Sequence, residues 1–110
     1  MRYSLGLDVG SVNAKLALID EGCRIARLDI EKITSSPKAA VASLLSRLER
    51  FHLNDIGTAG VSGSGSVVIP GELGWSLYSS SLAIATGLLH SHPDARTILQ
   101  IGGQTSIVIV

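Results

Sequence analysis

Two apolar segments separated by a Gly-Ser turn dominate the start of the chain, from Leu5 to Asp20. The first segment, Tyr3–Val9, reads as a strand, and Ala14–Ile19 reads as its antiparallel partner. Asp8 stands near the end of the first strand, just before the turn. Such a hairpin can bind an anion, because successive N–H groups in a turn can point at one phosphate.

The residue types around that turn suit phosphate and metal chemistry. Gly10 can adopt backbone angles closed to other residues, so the turn can be tight and can approach a ligand closely. Lys15 adds a positive charge, and the Asp8 carboxylate suits a metal ion or its water shell. The same pattern is also typical of an ordinary hairpin whose Asp caps its own turn. The turn alone therefore leaves both interpretations open.

The composition is that of one small folded domain. The chain has 110 residues, of which 45% are apolar and 16% charged, and its formal net charge is zero. Nothing in that balance favours nucleic acid or an anionic membrane as a partner. The single cysteine, Cys23, excludes an internal disulfide and is expected to be a small buried side chain on a strand. No apolar run could span a bilayer, so we expect a soluble, cytoplasmic protein.

The middle of the chain predicts a third strand, a helix, a fourth strand and a second helix. Their predicted ranges are Cys23–Ile30, Pro37 to about His52, Asp55–Val61 and Leu77–Leu89. The third strand alternates in part, which predicts an antiparallel meander with a solvated face. The first helix, with Ser36 as its N-cap, should pack on the sheet and leave its charges in solvent. The Gly- and Ser-rich run at residues 60–75 is expected to be a surface loop rather than a second phosphate cradle.

A second glycine hairpin over Thr97–Val110 repeats the plan of the first. It has an apolar strand, a polar residue, Gly102-Gly103, a hydroxyl residue and another apolar strand. Two facing turns could supply donors to one triphosphate from both sides. An isolated hairpin is marginal in water, and an exposed apolar edge invites pairing. We therefore expect the run Ile107–Val110 to pack against another copy or against its own domain.

The order of these elements resembles the first half of the actin-like ATPase superfamily. LGLDVGSVNAK looks like the superfamily's first phosphate motif, and ILQIGGQTS looks like its second. HPDARTILQIGGQTSIVIV is most similar to the ATP-dependent activators of 2-hydroxyacyl-CoA dehydratases and benzoyl-CoA reductases, particularly at Ile101–Gln104. The resemblance implies an α/β, ribonuclease H-like domain with a mixed sheet, in which parallel strands and two helices join the meander. It also implies a first domain over residues 1–94 and the opening hairpin of a second over residues 95–110.

The resemblance further implies ATP and magnesium as ligands and a dehydratase or reductase as partner. Asp8 would be the catalytic residue and would position the magnesium and its water. The residues that would line the two phosphate turns are Gly10, Ser11, Val12, Asn13, Lys15, Gly102, Gly103, Gln104 and Thr105. Family members couple hydrolysis to electron transfer from an iron–sulfur cluster between two subunits. The family's cluster cysteines lie beyond Val110 and Cys23 matches none of them, so the cluster is not carried over.

Two positions depart from the family pattern. Gln100 replaces an Asp, so the shape is kept without the negative charge that favours hydrated magnesium. Thr105 replaces a second Asp, and a hydroxyl cannot act as a carboxylate base. The third departure is that the chain stops at Val110, so that one wall of the family's nucleotide cleft is absent. We therefore expect weak nucleotide binding with little or no turnover. Two alternatives stay open: a non-catalytic module of the same fold that self-associates through its C-terminal hairpin, and a fragment of a sugar-kinase-like protein.

Overall fold

The structure is a computed structural model, and it describes residues 2–48, 55–64, 75–101 and 106–109. Within those ranges the strands and helices, in chain order, are β1 (Tyr3–Val9), β2 (Asn13–Ile19), β3 (Ile25–Lys32), α1 (Pro37–Ser46), β4 (Ile56–Ser62), β5 (Ser76–Leu77), α2 (Ser80–Ser91), β6 (Ile98–Ile101) and β7 (Ser106–Ile109). They form two compact units, Met1–Leu77 and Tyr78–Val110. A domain boundary between residues 94 and 95 stays a prediction.

The first unit is built on a mixed sheet with the strand order β3-β2-β1-β4-β5. β1 pairs antiparallel with β2, and β2 pairs antiparallel with β3. β4 runs parallel to β1 on its other side, and β5 runs parallel to β4. The predicted combination of a three-strand meander with parallel strands is confirmed. The sequence analysis does not predict β5, because two residues are too short to carry a pattern.

Alternation along β1 and β2 places their apolar side chains against α1. The buried apolar residues are Leu5, Leu7, Val9, Ala14, Leu16, Leu18, Ala40, Val41, Leu44, Leu48 and Val61. The helix begins as predicted, since Ser36 accepts a hydrogen bond from the N–H of Ala39 at 3.1 Å and Pro37 takes the first helical position. Asp8 falls between two buried residues of β1 and therefore lies on the sheet face opposite α1.

The turn after β2 is longer than predicted, and Cys23 is not a buried strand residue. Cys23 is exposed and has a φ of +61°. The Asp20 side chain shapes this turn, because its Oδ1 accepts hydrogen bonds from the N–H groups of Gly22 and Arg24, each at 2.9 Å. These bonds keep the backbone in a turn as far as Arg24, so β3 starts only at Ile25.

The alternation predicted for β3 is present, but its apolar side chains face solvent. They are each more than half exposed: Ile25, Leu28 and Ile30. The polar side chains between them face α1, where Arg47 forms ion pairs with Asp29 and Glu31. The prediction that the charges of this helix lie only in solvent is therefore wrong for Arg47. Its ion pairs connect the end of α1 to β3.

Two predicted helix boundaries are wrong. α1 ends at Ser46 rather than near His52, because the N–H of Arg47 bonds back to the carbonyl of Leu44 at 3.1 Å and closes a tighter turn. α2 begins at Ser80 rather than Leu77, since Leu77 pairs with Val61 in the sheet. In the described part of the chain no helix is both long and apolar enough to cross a membrane.

The second unit contains α2 and an antiparallel ribbon formed by β6 and β7. Ser79 caps α2 by accepting a hydrogen bond from the N–H of Leu82 at 3.1 Å. The helix contacts β7. β6 and β7 confirm the two antiparallel strands predicted within Thr97–Val110, and the glycine turn predicted between them lies outside the described residues.

Candidate functional site

The candidate site lies where β1 and β4 end side by side. Because the two strands are parallel, their carboxyl ends meet at one edge of the sheet, and the register pairs Asp8 with Ser62. The Oγ of Ser62 donates a hydrogen bond to Oδ1 of Asp8 at 3.1 Å. Ser62 is 8% exposed, so its hydroxyl is a buried polar group with a carboxylate partner. The sequence analysis does not single out Ser62.

The turn between β1 and β2 is closed by backbone hydrogen bonds. The N–H of Gly10 donates to the carbonyl of Asn13 at 2.9 Å, and the N–H of Ile33 donates to the carbonyl of Val12 at 2.8 Å. Within the described residues, the N–H groups of Ser11 and Val12 donate to no protein acceptor. These two neighbouring N–H groups are therefore available to an anion, as the predicted phosphate turn requires.

Gly10 does not use the left-handed backbone angles that are open to glycine. Among the described glycines only Gly63 has a positive φ, at +101°. A Cβ on Gly10 would approach the carbonyl oxygen of Asn13 to 3.2 Å, which is closer than ordinary contact. Close packing across the turn, rather than left-handed backbone angles, therefore favours glycine at this position.

Gly63 brings the chain that leaves β4 into contact with the end of β1. A Cβ at Gly63 would lie 2.3 Å from the carbonyl oxygen of Val9 and 2.8 Å from Oδ1 of Asp8. The prediction of a surface loop is therefore wrong at Ser62 and Gly63, since both contact β1. The sequence feature that could have indicated this contact is the glycine that follows β4. The rest of the predicted loop, residues 65–74, lies outside the described residues.

The charged groups of the site are Asp8 and Lys15. They are direct cross-strand partners in the β1–β2 ladder, and such partners project from the same face of a sheet. No ion pair joins them in the described part of the chain, and Lys15 is exposed. Oδ2 of Asp8 has no protein partner among the residues described. Both groups can therefore interact with a ligand.

The Asp8 carboxylate and the N–H groups of the turn suit a magnesium ion that is bound together with phosphate. They do not suit a metal site formed by protein side chains alone. The described residues contain no group of three or more His, Cys, Asp or Glu side chains that could hold a metal ion. Magnesium keeps several of its waters and is held by one or two carboxylates together with substrate phosphates. Asp8 supplies one such carboxylate, and the N–H groups of Ser11 and Val12 are available to a phosphate.

The second predicted phosphate turn cannot be placed against the first. Its residues lie outside the described ranges: Gly102, Gly103, Gln104 and Thr105. Nothing is described of the Gln100 side chain either. The structure thus brings together the first half of the predicted site, which consists of Asp8, the turn at residues 10–13 and Lys15. That two turns face each other across a triphosphate stays a prediction.

Solved structures share this fold. Component A of the (R)-2-hydroxyglutaryl-CoA dehydratase from Acidaminococcus fermentans matches with a TM-score of 0.83 and 24% identity, over 99% of this chain and 42% of that chain. The activator of the 2-hydroxyisocaproyl-CoA dehydratase from Clostridium difficile, with bound ADPNP, matches with a TM-score of 0.73 and 27% identity, over 96% of this chain and 40% of that chain. An Aquifex aeolicus member of the Ppx/GppA family matches with a TM-score of 0.54 and 12% identity, over 98% and 51%.

The chain therefore spans about two fifths of the length of the two dehydratase-related proteins. No protein-family model matches it, and a search of curated proteins gives no match. The structural matches confirm the predicted actin-like, ribonuclease H-like fold. They also confirm the predicted likeness to dehydratase activators.

Proposed function

We propose that this chain is the nucleotide-binding first part of an ATPase that activates a CoA-substrate-specific dehydratase or reductase. The observation that carries the proposal is the end of β1, where Asp8 is followed by a closed turn whose Ser11 and Val12 N–H groups donate to no acceptor among the described residues. The activator from Clostridium difficile, which shares the fold at 27% identity, has ADPNP bound. The partner would be the enzyme that the complete protein activates.

Residues of the first turn and of the two strands beside it have distinct roles in this proposal. The N–H groups of Ser11 and Val12 donate to phosphate oxygens, and the Lys15 ammonium adds charge attraction. Asp8 holds the hydration shell of magnesium and orients the attacking water. Magnesium, when bound, neutralises charge that develops on the phosphates. The turn amides stabilise the same charge, because they are already oriented before the reaction.

The second turn completes the proposed site. Gly102, Gly103, Gln104 and Thr105 would approach the phosphates from the other flank. Since Gln100 and Thr105 lack the carboxylates of the family pattern, we expect nucleotide binding to exceed hydrolysis. Binding rather than turnover is therefore the property to measure first.

The test compares Asp8→Asn with the wild type in thermal unfolding with and without Mg-ADPNP. A ligand that binds only the folded state at ten times its Kd stabilises by about 1.4 kcal/mol, which raises Tm by several degrees in a domain of this size. We expect Asp8→Asn to lose most of that rise, because the neutral amide cannot hold the hydrated cation.

Asp55→Asn is the matched control, since it removes the same charge directly before β4, at the opposite end of that strand from Ser62. This variant should keep the full rise in Tm. The proposal is wrong if millimolar Mg-ADPNP leaves the wild-type Tm unchanged. It is also wrong if Asp8→Asn and Asp55→Asn respond alike.

A specific feature of the ribbon favours a second candidate function, self-association of a non-catalytic module. Leu99 and Val108 are cross-strand partners in the β6–β7 ribbon, and each is 61% exposed. An exposed apolar pair on a two-stranded ribbon favours pairing with another chain. In this function the chain forms dimers or larger assemblies whether or not nucleotide is present. Its molar mass by light scattering would then rise with protein concentration.

A further inference from the structure

The hydrogen bond between Ser62 and Asp8 joins two residues that are 54 positions apart in the sequence. Ser62 is the last residue of β4, and its side chain is nearly inaccessible to solvent. The bond engages only Oδ1 of the carboxylate. A bond of this kind restricts rotation of the carboxylate, and it leaves the second oxygen oriented in one direction.

The backbone around Ser62 is held independently of that hydrogen bond. Gly63 turns the chain with a φ of +101°, and it passes so close to Val9 and Asp8 that no Cβ fits. The parallel pairing of β1 with β4 also runs to the Asp8–Ser62 pair. The serine hydroxyl is therefore presented to the carboxylate by the fold, as a positioning group requires.

We propose that Ser62 is a positioning residue for magnesium at the nucleotide site, an inference that rests on the proposed function. By holding Oδ1, Ser62 directs Oδ2 of Asp8 toward the cation or its bound water. Removal of groups that orient a metal-holding side chain commonly weakens metal binding by about 10- to 100-fold. Ser62 itself does not touch the nucleotide in this arrangement.

The same two strands provide a matched control bond at their other end. The Oγ1 of Thr58 donates to the Oγ of Ser4 at 2.8 Å, and these residues pair in the same β1–β4 ladder. Thr58→Ala thus removes one side-chain hydrogen bond between the same strands. It does so four residues before Ser62, away from the Asp8 carboxylate. It therefore separates loss of a strand contact from loss of carboxylate positioning.

The experiment titrates Mg²⁺ against each variant at a fixed, saturating concentration of ADPNP, with the rise in Tm as readout. We expect Ser62→Ala to raise the Mg²⁺ concentration for half of the maximal rise by about tenfold. Ser62→Thr keeps the hydroxyl and should restore the wild-type value. Thr58→Ala should leave that concentration unchanged. If Ser62→Ala does not fold, Ser62→Cys replaces it, because the thiol keeps the size but is a weak donor.

The outcomes separate this inference from the proposed function. A wild-type protein that does not respond to Mg-ADPNP overturns both. A wild-type response with an unchanged Mg²⁺ dependence in Ser62→Ala overturns the positioning role and leaves nucleotide binding intact. Equal shifts in Ser62→Ala and Thr58→Ala also overturn it, because the cause would then be a general loosening of the two strands.

Discussion

Gly63 is the position at which the candidate site can least accommodate a side chain. A Cβ would lie 2.3 Å from the carbonyl oxygen of Val9, a backbone atom that cannot swing aside, and 2.8 Å from Oδ1 of Asp8, which Ser62 holds by a hydrogen bond. Its φ of +101° is also a conformation that other residues adopt only under strain. Both constraints act on the point where the chain leaves β4 and passes the end of β1.

We predict that Gly63→Ala destabilises the protein by about 3 kcal/mol, because backbone strain and a steric clash add together. Urea unfolding followed by circular dichroism measures this change. The control is Gly87→Ala in α2, where a Cβ would meet nothing within 4 Å. That variant should be more stable by about 0.5–1 kcal/mol, since alanine is the better helix former. Equal effects of the two changes would contradict this account of Gly63.

At the scale of elements, charged side chains connect α1 to the edge strand β3. Arg47 Nη1 lies 2.9 Å from Oδ1 of Asp29, and its Nη2 pairs with Glu31. The hydrogen bond from Arg27 and, more weakly, the charge of Arg47 hold the pKa of Asp29 below its ordinary value of 3.8. Because the folded pKa is the lower one, this stabilisation is complete above pH 3.8 and is lost as the pH falls through the folded value.

We predict that Arg47→Met lowers stability at pH 7, and that the difference from wild type shrinks as the pH falls below 3.8. Methionine keeps the apolar part of the side chain, so the loss comes mainly from the charge. Added salt should also reduce the difference, because the pair is partly exposed. The measurement is urea unfolding at a series of pH values and salt concentrations.

Lys38→Met is the control for this prediction, since Lys38 is exposed on the same helix and has no ion pair among the described residues. It should leave the free energy of unfolding close to that of wild type at every pH. A pH-independent loss in Arg47→Met would instead show that the contact is one of packing alone.

At the scale of the whole molecule, the exposed apolar pair of the β6–β7 ribbon bears on oligomeric state. We predict that Leu99→Lys abolishes any concentration-dependent rise in molar mass, because a charge on the ribbon opposes pairing with a second chain. Leu28→Lys makes the same change at an equally exposed position of β3 and should behave as wild type. Light scattering after size-exclusion chromatography over a wide concentration range measures this. A wild-type monomer at all concentrations would rule out self-association.

Much of this fold can be predicted from patterns among neighbouring residues in the sequence. The alternating apolar residues of β1 and β2, and the Ser36-Pro37 helix start, predict their elements because each signal lies within a few neighbouring residues. The prediction that Cys23 is a buried strand residue is wrong, because the conformation of its turn depends on two hydrogen bonds accepted by the Asp20 side chain. The direction in which the β3 side chains point could not be read either, since alternation does not say which face the helix covers.

In the candidate site, too, the sequence reveals some residues and not others. Asp8 and the turn after it are recognisable in sequence, because they belong to one short motif. Ser62 and Gly63 are not, because their contacts with Asp8 arise only from the parallel pairing of distant strands. Contacts across such separations have no local signature in a single sequence.

The long separation between Asp8 and Ser62 has a kinetic consequence. The three-strand meander is local and can form early, whereas β4 joins β1 only after a large loop has closed. A chain caught at the meander stage would already display the carboxylate, but without the serine that orients it. Under the proposed function, bound nucleotide should therefore retard unfolding and leave the rate of the earliest folding steps unaltered.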